Sequence, residues 1–418
     1  MNITQLHNIF LNSSGICTDT RKLKKDCIFF ALTGENFNGN EYASKALELG
    51  ASYAVIDNLS YQKDERYILV NDTLKSLQKL ANHHRKQLKC PVIGITGTNG
   101  KTTTKELIYC VLSSTFRTAC TSGNLNNEIG VPLTILSTPL DTEMLIVEMG
   151  ANHMGEINAL CKIAEIDYGI ITNIGKAHLE GFGSYENIIK TKNELYQFIE
   201  KENKIVFVNK NDGLLLGLSE KIERILYTDF KITNNGDNLA SVIINNKEIK
   251  TKLVGSYNTN NIIAAYTIAS YFKVNEEDIV NSLQKYTPTN NRSELKITNS
   301  KNTLILDAYN ANPTSMRLSI DSFLETKKKS LWLILGDMLE LGKSSLNEHQ
   351  KIIDSLKEKN IKKVIIIGNE FGKCQHTFYH FENAEKASEW IKENQIINSQ
   401  ILLKGSRGIR LEQLEIVL

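Results

Sequence analysis

The chain has 418 residues, too many for one ordinary domain and enough for two to four. Its 41% hydrophobic and 23% charged content is that of a globular protein, and a net charge of +2 gives no bulk attraction to nucleic acid or an anionic membrane. Seven scattered cysteines without a Cys-x-x-Cys pair argue against a disulfide framework or a zinc site. No apolar run is long enough to span a bilayer, and the N-terminus lacks the basic start and apolar core of a signal peptide.

In chain order, a first block to about residue 88 mixes short strands at 27–32, 53–56 and 68–70 with helices at 41–49 and 73–86. The charged stretch from His83 to Lys89, followed by Pro91, marks a boundary, because proline disfavours helix in the residue before it. The second block opens with an apolar strand from Val92 to Thr96, a glycine-containing loop, and a helix from Thr103 to Leu112. Apolar runs at 144–149, 168–174 and 204–208 then alternate with helix-like segments, as expected of a parallel sheet buried on both faces. Segment 225–255 reads as short antiparallel strands around Asn234-Asn-Gly-Asp, and 260–272 as an apolar helix. From about Tyr286-Thr-Pro288 the alternation repeats. Strands are expected at 303–308, 331–335, 363–367 and 400–403, and helices at 314–326, 345–359 and 384–394. The expected fold is therefore α/β in three parts. A small α/β domain (1–88) precedes a central parallel sheet with helices (89–287), and a second doubly wound, Rossmann-like unit follows (288–418).

The loop between the first central strand and its helix is a phosphate cradle. Gly97 and Gly100 let the backbone aim its N–H groups at anionic oxygens, Lys101 adds a point charge, and the Thr102 hydroxyl can ligate Mg²⁺. The following helix points its positive end at the same place. In G-x-x-x-x-G-K-[ST] the first glycine would fall at Ile95, whereas this chain has glycines at 94 and 97. Three further residues lie near strand ends, where ligands gather in such sheets. Glu148 ends an apolar strand and can hold Mg²⁺, His178 follows another, and Lys192 lies in Ile188-Ile-Lys-Thr-Lys-Asn-Glu-Leu-Tyr196. Each alone has an ordinary structural explanation.

In combination they resemble the Mur ligases, the ATP-dependent amide-forming enzymes of peptidoglycan precursor synthesis. The loop of that family has the form Gly-Thr-x-Gly-Lys-Thr-Thr, which accounts for the displaced glycine and matches Gly97, Thr98, Asn99, Gly100, Lys101, Thr102 and Thr103. The resemblance spans nearly the whole chain. Its other motifs are Gly123-Asn-Leu-Asn-Asn-Glu-Ile-Gly130, Glu148-Met-Gly-Ala-Asn152, Asp307-Ala-Tyr-Asn-Ala-Asn-Pro313, Leu335-Gly-Asp-Met-Leu-Glu-Leu-Gly342 and Lys404-Gly-Ser-Arg-Gly408. The third and fourth of these separate the branch that adds D-Ala-D-Ala to UDP-MurNAc-tripeptide from its sister ligases.

The resemblance implies a role for each matching position. ATP and two Mg²⁺ ions are the expected cofactors. Thr102, Glu148 and His178 correspond to metal-site residues, and Lys192 to a lysine that is carbamylated in these enzymes. As an N-carboxylysine it becomes an oxygen ligand instead of a cation. Lys101, Glu148, His178 and Lys192 are thus the expected catalytic set. Asn258 and Asn261 match an adenine-side motif, Gly-x-His-Asn-x-x-Asn, in which Tyr257 replaces the histidine. Arg292 matches the arginine of a Gly-Arg motif whose glycine is Asn291 here. Thr18, Asp19, Thr20, Arg21 and Asn36 fall in uridine-nucleotide-binding segments. Asn124, Asn126 and Asn127, with Asp307, Asn310, Asn312, Lys404 and Arg407, are expected to face substrates. Charge complementarity suggests Asp337 for the incoming amine and Arg407 for its carboxylate. The three blocks then serve the UDP precursor, ATP and the amino substrate of a cytoplasmic, monomeric ligase.

Two other classes compete. A sister ligase would add another amino acid or act on folate, against the 307–313 motif and the uridine-like N-terminal block. A nucleotide switch or motor lacks its guanine-reading Asn-Lys-x-Asp here, and would leave Glu148, His178 and Lys192 without a role.

Overall fold

The computed structural model describes residues 1–177, 179–233, 238–289, 291–326 and 330–418. The expected His178 and the turn at 234–237 lie outside the described residues.

The N-terminal block holds an all-parallel sheet in the order Ile16–Cys17, Ile28–Phe30, Tyr53–Ile56, Tyr67–Leu69. Two of its elements, the strand Ile16–Cys17 and the helix Ile3–Leu11, were not expected from the sequence. The helix carries its own start signal: Asn2 accepts the Gln5 N–H, and the Gln5 side chain accepts the Asn2 N–H.

In the middle of the chain six parallel strands lie in the order Glu223–Leu226, Ile205–Val208, Tyr168–Ile171, Val92–Thr96, Met144–Glu148, Thr118–Cys120. Alternate side chains enter separate cores. Val92, Leu145, Val147, Ile171 and Val206 pack on one face, and Ile93, Ile95, Ile146, Ile170 and Phe207 on the other. Such double burial is why these strands read as unbroken apolar runs. Val92–Thr96 is central, and the chain crosses it when passing from Met144–Glu148 to Tyr168–Ile171. The sheet therefore changes direction at this strand, and the crevice beyond its carboxyl end is where a ligand is expected. The segment from 225 corrects the sequence reading in part. Residues 225 and 226 belong to the parallel edge strand Glu223–Leu226, and the antiparallel sheet that follows comprises Lys231–Thr233, Leu239–Ile244 and Lys247–Val254. The helix Thr259–Tyr271 is buried almost all round and packs against the helix Lys101–Leu112.

The last sheet runs Glu294–Ile297, Thr303–Asp307, Gln400–Lys404, Leu331–Gly336, Val364–Ile367, Tyr379–Phe381, parallel except at its first pair. That antiparallel edge and the strand Tyr379–Phe381 add to the four strands expected. The helices Pro313–Leu324 and Ser345–Glu358 bury one face of the sheet, and Ala384–Glu393 the other. No disulfide joins the seven cysteines, and no helix among the described residues is long and apolar enough to cross a membrane.

Candidate active site

A cleft of about 790 Å³ lies where the carboxyl ends of the central and C-terminal sheets face each other. Gly97, which follows the strand Val92–Thr96, has φ +143°, and a Cβ there would overlap the Thr172 hydroxyl. Gly100 caps the helix Lys101–Leu112 at φ +78°, and a Cβ would sit 2.7 Å from Asn261 Oδ1. Both positions therefore require glycine. Around them the loop is braced by the next strand. The Thr172 hydroxyl donates to the Asn99 carbonyl at 2.6 Å, and Asn173 Oδ1 accepts the Asn99 N–H at 3.1 Å. Lys101 folds back so that its Nζ donates to the carbonyls of Gly97 and Thr98, at 2.8 and 3.0 Å. Burial lowers its pKa, against the opposing pull of Glu148.

Glu148, the last residue of its strand, is 1% exposed. Its Oε1 accepts from Thr102 Oγ1 at 3.2 Å and Asn126 Nδ2 at 2.8 Å, while its buried Oε2 has no hydrogen-bond partner among the described residues. A buried carboxylate oxygen left unpaired is costly, and a hard cation would satisfy it. Among the described residues no group of three or more His, Cys, Asp or Glu side chains converges on a metal-sized site. Mg²⁺ draws most of its ligands from phosphates and water. The set formed by Thr102 Oγ1 and Glu148 Oε2 fits such an ion.

Lys192 reaches the same cleft from the helix Tyr185–Lys201 and is buried. Burial, then the Lys101 charge, pushes its pKa down to about 7, with Glu156 and Glu194 opposing. An amine of that kind is substantially neutral near neutral pH and is a competent nucleophile.

From the C-terminal sheet, Asp307 and Lys404 are paired in register and joined at 2.8 Å, with Lys404 Nζ also donating to the Asn310 carbonyl at 2.9 Å. Asn312 caps the helix Pro313–Leu324 and donates through Nδ2 to Asn99 Oδ1 at 2.7 Å, linking this sheet to the phosphate loop. Arg292 lies 3.7 Å from the Tyr309 ring and Arg407 5.5 Å from it, both beside the cleft. Asn258 and Asn261 line it too, bonded to one another at 2.8 Å, and Thr104 donates to Asn261 at 3.1 Å. Tyr257, in the place of a histidine, bonds Ser293 at 3.0 Å, and burial raises its pKa. Thr103, Asn124 and Asn127 complete this group, the last accepting the Gly130 N–H at 2.9 Å.

Two sets of expected residues are not in the cleft. Asp337 is 3% exposed, and its carboxylate accepts the N–H groups of Glu370 and Phe371, each at 2.9 Å. It holds the short helix Asn369–Gly372, so the structure does not bring it to an incoming amine. Thr18, Asp19, Thr20, Arg21 and Asn36 lie in the N-terminal block, outside the cleft lining. There Arg21 pairs with Asp19 at 2.8 Å and its hydrogen bonds hold the Asp19 carboxyl down at about 2, while Asn36 is exposed between two short strands. Sequence reasoning missed Thr172, Asn173 and Tyr309. Tyr309 alone carried a signal, an aromatic inside the Asp-Ala-Tyr-Asn motif.

Comparison with known proteins agrees with this geometry. Residues 95–269 match the Mur ligase middle domain, and residues 291–407 match the Mur ligase, glutamate ligase domain. The UDP-N-acetylmuramoyl-tripeptide–D-alanyl-D-alanine ligase of Bacillus subtilis is 34% identical over 96% of this chain and 92% of its own length. The chain belongs to the Mur ligase family. Among solved structures, MurF from Acinetobacter baumannii superposes with a TM-score of 0.85 at 27% identity, covering 99% of this chain and 97% of the other. MurF ligase from Thermotoga maritima in complex with ADP gives 0.84 at 26% identity, covering 97% of each.

Proposed function

We propose that this Mur ligase joins UDP-MurNAc-tripeptide to D-Ala-D-Ala, converting ATP to ADP and phosphate. One observation carries the reading. The phosphate loop, a buried glutamate with one oxygen unpaired among the described residues and a lysine with a depressed pKa open into one cleft with the Asp307 and Lys404 pair. A carboxylate is a poor acyl donor because its leaving group is oxide, and phosphorylation corrects this. The tripeptide carboxylate attacks the γ-phosphorus in line, ADP leaves, and an acyl phosphate forms. The dipeptide amine then adds to the acyl carbon, loses a proton, and expels phosphate from the tetrahedral intermediate.

The loop N–H groups and Lys101 hold the phosphates and offset the charge that develops on them. Thr102 and Glu148 would hold one Mg²⁺, and Lys192 as N-carboxylysine, with His178, a second; the ions supply Lewis-acid polarisation of the phosphoryl oxygens. Asn258, Asn261 and Arg292 are assigned to the nucleotide. Asn124, Asn126, Asn127, Asp307, Asn310, Asn312, Lys404 and Arg407 are assigned to the peptide substrates. Residues 1–88, with Thr18 to Arg21 and Asn36, are assigned to the UDP moiety, 89–287 to ATP, and 288–418 to the dipeptide. Approach of the two sheets across the Asn99–Asn312 bond would align the reactants and exclude water, which would otherwise hydrolyse the acyl phosphate. The reading places a monomeric enzyme in the cytoplasm, where a nucleotide-linked precursor and ATP are available.

Phosphate release from ATP tests this. It should require UDP-MurNAc-tripeptide and rise to steady turnover only when D-Ala-D-Ala is added. Release that ignores the dipeptide, or that follows a single amino acid instead, would reject the assignment.

A further inference from the structure

We propose that Lys105 is a positioning residue for this reaction, a buried ammonium that fixes Glu148 and Asn126 against the phosphate-loop helix. The inference rests on the reading of Glu148 as a holder of Mg²⁺.

Lys105 lies on the helix Lys101–Leu112, one turn beyond Thr102, and is 0% exposed. Lysine is almost never fully buried unless paired, because its ammonium loses water on both entry and packing. Here it has two carbonyl acceptors and one carboxylate partner. Nζ donates to the Thr121 carbonyl at 2.6 Å and the Gly123 carbonyl at 3.4 Å, and pairs with Glu106 Oε1 at 2.8 Å. Two of these acceptors belong to the segment leading from the strand Thr118–Cys120 to Asn126.

That segment grips Glu148 from both sides. Thr121 Oγ1 accepts the Glu148 N–H at 2.9 Å, and Thr121 N–H donates to the Ile146 carbonyl at 3.0 Å. Asn126 Nδ2 donates to Glu148 Oε1 at 2.8 Å, and the Asn126 carbonyl accepts the Gly150 N–H at 2.7 Å. The helix thus touches the acid twice, directly through Thr102 and indirectly through Lys105 and Thr121. Packing alone would be met at position 105 by an apolar side chain, as at Leu107 and Ile108 on the same helix. An ammonium adds directional donors for two carbonyls that an apolar side chain would leave without them. Its loss lets the 121–126 segment relax and turns the free oxygen of Glu148 away from Thr102. The loop N–H groups and Lys101, which meet the nucleotide itself, are untouched.

The test is ADP binding to the full chain by titration calorimetry, with Mg²⁺ and with EDTA, in Lys105→Met. Affinity in Mg²⁺ should fall by about tenfold or more, and metal-free ADP affinity by less than about threefold, as for other residues that orient a metal ligand. The Mg²⁺ concentration giving half-maximal phosphate release should rise in step. Thr121→Val, which keeps shape and removes only the acceptor for the Glu148 N–H, should shift the same ratio in the same direction. If Lys105→Met does not fold, Thr121→Val decides. A wild-type ratio of the two ADP affinities in Thr121→Val, or equal losses with and without Mg²⁺ in Lys105→Met, overturns the proposal. Glu148→Gln separates the two layers. A collapsed ratio there beside wild-type ratios in the other variants rejects Lys105 alone, and a wild-type ratio there rejects the Glu148 reading beneath it.

Discussion

Lys192 offers a quantitative handle on the carbamate reading. With its pKa pushed down to about 7, about nine-tenths of the amine is neutral at pH 8, against about 0.3% for a lysine at the ordinary 10.5, a gain of about 300-fold in nucleophile. Carbamate formation adds the neutral amine to CO₂ and releases one proton, so its rate at fixed dissolved CO₂ follows the neutral fraction. The perturbation is to strip CO₂ from the enzyme and then restore it at a constant dissolved level across a pH series. The recovery rate of phosphate release should rise about tenfold from pH 6 to pH 8 and then level off. An ordinary lysine would instead gain about tenfold per unit up to pH 10. ¹³C-labelled CO₂ should give a carbamate resonance in the wild type that Lys192→Met lacks. A rate that keeps climbing beyond pH 9, or activity indifferent to CO₂, refutes the reasoning.

Other perturbations follow from the same geometry. Gly97→Ala meets both a φ of +143° and the Thr172 hydroxyl, so ADP binding by calorimetry should fall by about a hundredfold or more while the fold persists; near-wild-type binding contradicts the cradle. His7 Nε2 bonds His84 Nδ1 at 3.1 Å, and His84 Nε2 donates to the Thr138 carbonyl at 3.1 Å, so only one of the two facing ring nitrogens can carry a proton. Burial, with His83 and His84 adding, lowers the His7 pKa from 6.5 to about 4. The unfolded chain therefore binds the proton first, and stability present above pH 6.5 drains away as the pH falls toward 4. His7→Leu should make that decline in Tm shallower, and an unchanged slope would count against it. Asn312→Ala removes a helix cap, at about 1 kcal/mol of stability by denaturant titration, and the bond to Asn99. It should lower kcat by about tenfold with ADP affinity nearly unchanged, and an unaltered kcat would contradict the link.

Much of the fold was legible because most strands of the central and C-terminal sheets are buried on both faces, which leaves continuous apolar runs such as 144–147 and 364–367. Elements that rely on pairing rather than burial were not. The strand Ile16–Cys17 has two residues, and Glu294–Ile297 is an exposed antiparallel edge. At the site, glycines and residues at strand ends could be read from local spacing, and Glu148 and Lys192 do meet in one cleft. Asp337 was misplaced because a carboxylate suited to an amine is equally suited to the two backbone N–H groups it accepts. The braces from Thr172, Asn173 and Lys105 were invisible because each joins segments far apart in sequence through a backbone carbonyl or N–H, which leaves no compositional trace.

The central claim is that the γ-phosphate passes to a substrate carboxylate and not to water. UDP-MurNAc-tripeptide labelled with ¹⁸O in its reacting carboxylate tests it directly, through the isotope content of the phosphate released in the presence of ATP and D-Ala-D-Ala. Each phosphate should carry one ¹⁸O from the bridging oxygen of the acyl phosphate, with the other retained in the new amide. Unlabelled phosphate, or phosphate that takes its oxygen from ¹⁸O-water instead, would contradict it.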